Sequence, residues 1–300
     1  MNGEQLDLPF VSVIVPVYND ADSLSVLLRA LAEQDYASRR FECVVVDNGS
    51  KVPVRIDQQF EFEVRVLRED RKGGYVARNT GLRTARGTVL AFTDSDCIPR
   101  SDWLSSAVAR LREADQRPTM IGGKIEVVTS GPTPSSVAEW HSLVHDLDQA
   151  RYVSAFHFAA TANLVVGCDV FATVGEFDES LYSGGDFDWG RRAWSGGVDQ
   201  VYADEVVVRH PTRTSWRTLI TRHRRLIGGQ YVMNQRTGGS VGRVVKLVVK
   251  TALASARRAL RDPRMTPTER IQVTTLDAAL RCIQLVECAR LSLGGGPLRA

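Results

Sequence analysis

Two carboxylate pairs carry the most chemistry in this chain. Asp94 and Asp96 stand one residue apart where the apolar run Leu90–Phe92 ends, and Asp186 and Asp188 follow about ninety residues later, after Ser183-Gly184-Gly185. Residues i and i+2 of a strand point the same way, so Asp94 and Asp96 are expected to aim at one point just past a strand end. Two hard oxygen ligands there suit Mg²⁺ or Mn²⁺ carrying a diphosphate. The carboxyl ends of strands are also where open α/β sheets bind ligands. Taken alone, an Asp-x-Asp also reads as a solvated turn. Acids at a helix start stabilise its dipole, which is the plain reading of Asp186 and Asp188. Beside a metal, one of them could instead take a proton as general base. His210, just past a strand, is a further candidate metal ligand, since imidazole accepts Mn²⁺ as well as zinc.

These groups need a frame, and the apolar pattern supplies one. Val11–Asn19 is a nearly continuous β-branched run, suited to a strand buried on both faces and ended by Pro16. Asp20 or Asp22 can cap the helix carrying Leu24, Leu27, Leu28 and Leu31. Further strands are expected at 41–47, 63–67 and 88–93, with a helix entered from a glycine loop at 73–86. Strand and helix alternate with short links, which predicts a mostly parallel mixed sheet flanked by helices. Parallel strands deliver their carboxyl ends to one edge, so Tyr18, Asn19, Asp47, Asp94 and Asp96 could converge on one ligand. A helix is predicted over 103–114, with strands over 121–128, 158–166 (carrying a buried Asn163) and 200–208. His141 and His145 have the i, i+4 spacing of a metal pair, but Ser142-Leu143-Val144 between them lacks the glutamate of HExxH. That stretch is read as a loop or helix over the acceptor side rather than as a zinc site.

The composition bounds the partners. The net charge of +3 divides unevenly: 14 Lys/Arg and one acid between Val206 and Arg264 give +13, leaving −10 for the rest. A basic C-terminal third on an acidic body suggests an anionic partner. Val241–Arg261 reads as an amphipathic helix, with Arg243, Lys246, Lys250, Arg257 and Arg261 opposite Val241, Val245, Val248, Ala252, Ala256 and Leu260. Such a helix suits an anionic membrane surface, or packs on the domain with a solvated basic face. Thr266-Pro-Thr-Glu269 is a capping box opening a last helix, whose Ile271, Leu276, Leu280, Ile283 and Val286 could pair with the preceding helix or in a homodimer. No apolar run is long enough to span a bilayer, and MNGEQLDLPF has neither a basic nor an apolar leader region. The expected location is cytoplasmic, with peripheral attachment to the inner membrane face as an extension. Five scattered cysteines imply no disulfide framework.

The segments VSVIVPVYND, VVVDNGS, GGYVARNTGLRTARG, VLAFTDSDCIP, TANLVV, VGEFDESLYSGGDFDWGRR and VVVRHP occur in this order over about residues 10–211. Together they resemble the family-two glycosyltransferases of GT-A fold. The resemblance implies a catalytic domain over 1–215, with a donor half at about 10–100 and an acceptor half at about 101–215, and a basic helical extension over 216–300. It implies transfer of a sugar from a nucleoside diphosphate, UDP by default, to an acceptor hydroxyl, with inversion. Pro16, Tyr18, Asn19 and Asp47 would bracket the nucleoside, and Arg78, Asn79, Asp94 and Ser95 would line the donor pocket. Asp96 would hold Mn²⁺ or Mg²⁺, His210 perhaps with it. Asp186 would be the base, with Asp188 its rival, and Asn163, Gly184, Gly185 and Trp189 would lie on the acceptor side. Gly185 stands where many relatives carry Glu. The Gln-x-x-Arg-Trp motif of processive relatives is absent, so transfer of one sugar is expected, to a saccharide, lipid-linked or small-molecule acceptor. A nucleotidyltransferase would need a glycine-rich phosphate loop after the first strand, which PVYNDADS does not offer. A non-catalytic membrane- or nucleic-acid-binding protein would not need converging carboxylates, and no aromatic-rich basic groove favours nucleic acid.

Overall fold

The computed structural model describes residues 8–114, 117–145 and 147–298; the leader-less reading of the first residues falls largely outside them. The β-branched run Val11–Val17 forms β1, flanked in parallel by β2 (Phe41–Asp47) and β4 (Val89–Phe92). β3 (Glu63–Arg68) adds in parallel beyond β2. Pro16 does not end β1; it pairs in register with Val46 but lies past the last β4 partner, Ile14, where one ladder is already finished. β6 (Thr119–Val128), β7 (Leu164–Gly167), β8 (Asp199–Pro211) and β5 (Ile98–Pro99) complete an eight-stranded sheet in the order β3-β2-β1-β4-β7-β6-β8-β5. The β4–β7, β6–β7 and β5–β8 pairs are antiparallel, so the sheet is mixed, with its parallel strands in the N-terminal half.

Helices α1 (Ala21–Ala32), α2 (Gly74–Thr84), α3 (Trp103–Arg112), α6 (Cys168–Val174) and α7 (Gly185–Ser195) cover this sheet. The predicted leucine face of α1 is the buried one: Leu24, Leu27, Leu28 and Leu31 are at most 2% exposed. Asp20 takes the N-cap position of α1 without making a side-chain cap bond. The stretch with three histidines becomes two helices, α4 (Val137–His145) and α5 (Gln149–Phe156).

The strand expected over 158–166 shortens to β7, preceded by a 3₁₀ turn at Thr161–Asn163. Asn163, expected on the acceptor side, is fully buried there. Its amide donates to the Lys124 and Val206 carbonyls and accepts from the Trp103 indole, so it ties neighbouring elements together rather than facing an acceptor. Trp189 is corrected in the same way. It is 1% exposed, stacks on Phe171 at 4.5 Å, and its indole N–H donates to the Gly175 carbonyl.

The chain divides near residue 210 rather than 215, and the second unit also takes two internal segments. The first unit comprises the residues up to Glu126 with Asp148–Ser180 and Gly185–His210; the second comprises Val127–Leu147, Leu181–Gly184 and the residues from Pro211 onward. The second unit is built on α8 (Trp216–Arg236), α9 (Val241–Arg261), α10 (Pro267–Ser292) and α4. Thr266 and Glu269 form the predicted capping box of α10. Ile227, Val244, Val248 and Cys288 make one apolar cluster; Ala138, Leu219 and Leu280, with Leu276 and Ile283 against them, make another. Most of the α10 residues expected to serve a homodimer are therefore committed inside their own unit, while Ile271 and Val286 stay exposed. No helix among the described residues is long and apolar enough to cross a membrane.

Candidate functional site

Asp94 and Asp96 leave β4 in a turn, not along a strand: the Cys97 N–H donates to the Asp94 carbonyl at 3.1 Å. Asp-Ser-Asp is turn chemistry, so the two carboxylates diverge instead of sharing one aim. Asp94 pairs with the Arg78 guanidinium on α2. Asp96 faces His210, with Oδ1 3.8 Å from Nε2. The meeting of Asp96 and His210 follows from register. The two-residue edge strand β5 pairs Ile98 with Arg209 and Pro99 with Val208, which brings the residues just before Ile98 alongside His210.

Cys97 completes a group whose ligand atoms lie within 4.8 Å of one another. Its thiol is fully buried, and burial, with Asp94 and Asp96 beside it, pushes its pKa well up. A thiol is a soft ligand, which a hard divalent cation carrying a diphosphate takes less readily than oxygen or imidazole. The remaining set, one carboxylate and one imidazole, fits a divalent cation that keeps open positions for oxygen ligands from substrate and water.

Arg78 is 8% exposed, and its Nε has no hydrogen-bond partner among the described residues. Its guanidinium lies 5.5 Å from the centre of the Tyr75 ring. Tyr75 in turn donates its hydroxyl to Asp186 Oδ1 at 3.1 Å. Burial pushes the Asp186 carboxyl above its ordinary value; the Phe187 N–H, the Tyr75 hydroxyl and Arg78 offset this in part, and the Asp94 charge adds to it. Burial keeps the Tyr75 phenol far above its own ordinary pKa, so it remains a donor. Asp94, Arg78, Tyr75 and Asp186 thus form one connected polar chain, and Tyr75 is the member the sequence reading did not single out. Its only sequence signal is its place after Gly73-Gly74 at the start of α2.

Other expected residues take supporting positions. Asp188 is bound by Arg192 one turn along α7 at 3.0 Å, and Arg192 also reaches the Val174 and Glu176 carbonyls. Asn79 is fully buried and clamps the Phe177 backbone through both ends of its amide, so it does not line a donor pocket. Asp47 is 2% exposed, with Oδ1 accepting from the Ser50 N–H and Oδ2 from the Val54 N–H and Arg68. Burial pushes its pKa up, but these bonds outweigh it and hold the carboxyl below its usual range. Asn19 has φ 52°, a left-handed conformation that Asn tolerates, and its Oδ1 accepts from the Lys51 N–H. The β1 and β2 loops are tied in this way, and Tyr18 projects from them 44% exposed. Ser95 Oγ donates to Asp20 at 3.1 Å, fixing the turn to the start of α1. Gly184 belongs to the second unit, where φ +81° and Met233 leave no room for a side chain.

A model of glycosyl transferase family 2 matches residues 12–171. The chain is similar to glycosyltransferase AglE of Haloferax volcanii, 37% identical over 211 residues, covering 69% of this chain and 68% of that protein. It is also similar to the pre-mycofactocin glycosyltransferase of Mycobacterium tuberculosis, 31% identical over 221 residues, covering 71% of this chain and 45% of that one. It thus spans less than half the length of the second relative. In fold it matches a mannosyltransferase of Pyrobaculum calidifontis, solved with GDP-Man and Mn²⁺, at a TM-score of 0.55 and 20% identity over 97% of this chain and 77% of that one. Staphylococcus aureus TarS 1–349, solved with UDP, matches at 0.52 and 19% identity over 95% and 75%.

Gly185 opens α7 against the Tyr75 ring, where an added Cβ would sit 2.7 Å from ring carbons. Glycine to alanine at an ordinary helical position stabilises by roughly 0.5–1 kcal/mol. Here Gly185→Ala is expected to reverse that sign and destabilise by about 1–3 kcal/mol, because the ring must move. Urea unfolding of the two proteins checks it, and an unchanged or raised midpoint would show that Tyr75 is not packed on this glycine.

Proposed function

The chain belongs to glycosyltransferase family 2, and on that premise we propose that it is a metal-dependent inverting enzyme moving one sugar from a nucleoside diphosphate, preferably UDP, to an acceptor hydroxyl. The observation that carries the reading is the division of labour between the carboxylates. Asp186, its pKa raised and its Oδ1 held by Tyr75, is separate from the Asp96 and His210 pair.

Asp96 and His210 would hold the cation, and the imidazole in the set favours Mn²⁺. When bound, the cation neutralises charge on the departing diphosphate as a Lewis acid. Asp94 and Arg78 position the ribose and sugar portion of the donor, and the exposed Tyr18 offers a face to the base. Asp47, through its bonds to Ser50 and Val54, shapes the loop beside it. Asp186 removes the acceptor proton as the hydroxyl attacks. Asp188 is the weaker choice for base because Arg192 already holds it. A direct displacement with one base inverts the anomeric centre, and no second nucleophile is required.

The acceptor class that fits the second unit is lipid-linked. The apolar face of α9 packs against α8 and α10, but Val249, Leu253 and Leu260 remain exposed along the border between that face and the basic face of Lys246, Lys250 and Arg257. That combination suits peripheral attachment to an anionic membrane, on the cytoplasmic side.

Thermal unfolding with nucleotides tests the donor assignment. UDP with Mn²⁺ is expected to raise Tm by several degrees, more than GDP or dTDP with the same ion, and Asp96→Ala is expected to remove the metal-dependent part. No shift with any nucleoside diphosphate would refute the donor site. A pH profile tests the base. Asp186 must be ionised to act, so kcat/KM falls as pH drops through its raised pKa. The Tyr75 hydroxyl favours the carboxylate, so Tyr75→Phe is expected to move this acidic limb to higher pH. A limb that stays in place, or moves to lower pH, would separate Tyr75 from the titrating group.

A further inference from the structure

His141, His145 and Asp277 lie in the second unit with ligand atoms within 4.8 Å of one another. The two histidines come from successive turns of α4, with ring centres 4.7 Å apart, and Asp277 comes from α10. His223, from α8, lies just outside that 4.8 Å group and sets its ring edge-on to His141 with centres 5.6 Å apart, so a side-chain shift would bring it onto a shared ion. His223 is 4% exposed, and neither of its ring nitrogens has a hydrogen-bond partner among the described residues. A buried polar atom without a partner carries its whole desolvation penalty, and one imidazole with both nitrogens in that state needs an explanation.

We propose that His141, His145, His223 and Asp277 form a structural zinc site inside the helical unit, independent of the donor-side cation. Three imidazoles and one carboxylate are a borderline-soft, four-ligand set, which suits Zn²⁺ better than Mg²⁺ or Ca²⁺. The spacing agrees: Asp277 Oδ1 is 3.3 Å from His141 Nε2. Ligands at zinc distances of about 2.0–2.1 Å, placed tetrahedrally, stand about 3.3–3.4 Å from each other. The supporting shell is also present. Ser255 Oγ lies 3.2 Å from His145 Nδ1 and 3.4 Å from its Nε2, a polar neighbour at the edge of that ring. Arg281 Nη2 sits 3.4 Å from Asp277 Oδ1 and must share the carboxylate with the metal. Asp277 has a second oxygen to offer it, and Nη1 of Arg281 already reaches Gln284 and Thr251. The ion would join α4, α8 and α10, three helices whose mutual packing otherwise rests on small clusters such as Ala138, Leu219 and Leu280.

The test uses the full chain carrying Asp96→Ala, so that the donor-side site contributes no binding. After metal stripping and equilibrium dialysis against ZnCl₂, elemental analysis is expected to find about one zinc per Asp96→Ala chain. Replacement by Co²⁺ is expected to give the intense visible bands of tetrahedral cobalt. Adding His223→Gln or Asp277→Asn is expected to weaken zinc binding by at least about 100-fold, beyond the loss typical of an outer-shell change. Zinc is also expected to raise the Tm of the Asp96→Ala protein, a reading that needs no ligand variant to fold. No zinc uptake by the Asp96→Ala chain, or uptake undiminished in folded His223→Gln and Asp277→Asn chains, would overturn the site.

Discussion

Arg78 is buried, and a charge taken out of water has to be matched where it lies. Asp94 supplies the opposite charge and the Tyr75 ring supplies a π-face. These two requirements fix more than the arginine. They hold the first carboxylate of the Asp-Ser-Asp turn away from the second, and they set Tyr75 where its hydroxyl meets Asp186. Gly185 follows from the same packing, because the space a side chain would fill is occupied by the tyrosine ring. At Gly185 this chain places the Tyr75 ring against the backbone. A carboxylate kept partly buried, beside a permanent donor and an arginine, has its proton affinity set by the fold rather than by water.

The second constraint is register. Asp96 meets His210 because a two-residue strand containing a proline pairs with the long β8. Without that pairing Asp96 would have no imidazole beside it. The proposed cation ligands and the proposed base thereby sit on different supports: a turn and a strand end for one, a helix start for the other. Displacement of a diphosphate by a hydroxyl needs charge stabilised at the leaving group and a proton removed at the nucleophile. Two supports allow both without two carboxylates competing for one ion.

Much of this frame is legible in the sequence, because long β-branched runs and leucine periodicity are strong local signals. β1, β2, α1, α9 and the capping box of α10 need only their own residues. What the sequence hides is long-range. Two residues with a proline carry no strand signal, so β5 and the register that joins Asp96 to His210 are invisible, although the two residues are already candidate ligands of one ion. Tyr75 and Asp186 are 111 positions apart. Asn79, Asn163 and Trp189 lie within the motif segments, yet each is buried and hydrogen-bonded to backbone, so motif membership there reflects support of the site rather than contact with substrate. The histidine pair of α4 was visible as spacing, but its partners arrive only when α8 and α10 fold against it, Asp277 from 136 positions away.

The proposed mechanism depends most on Asp186 acting on the acceptor proton and not on the donor. The direct measurement compares Asp186→Asn with the wild-type enzyme in two readings: turnover of sugar transfer, and affinity for the nucleoside diphosphate with Mn²⁺. The amide keeps the shape and cannot take the proton, so turnover should fall by about 10²-fold or more while nucleotide affinity stays nearly unchanged. Turnover close to the wild-type value, or a parallel loss of nucleotide affinity, would contradict it.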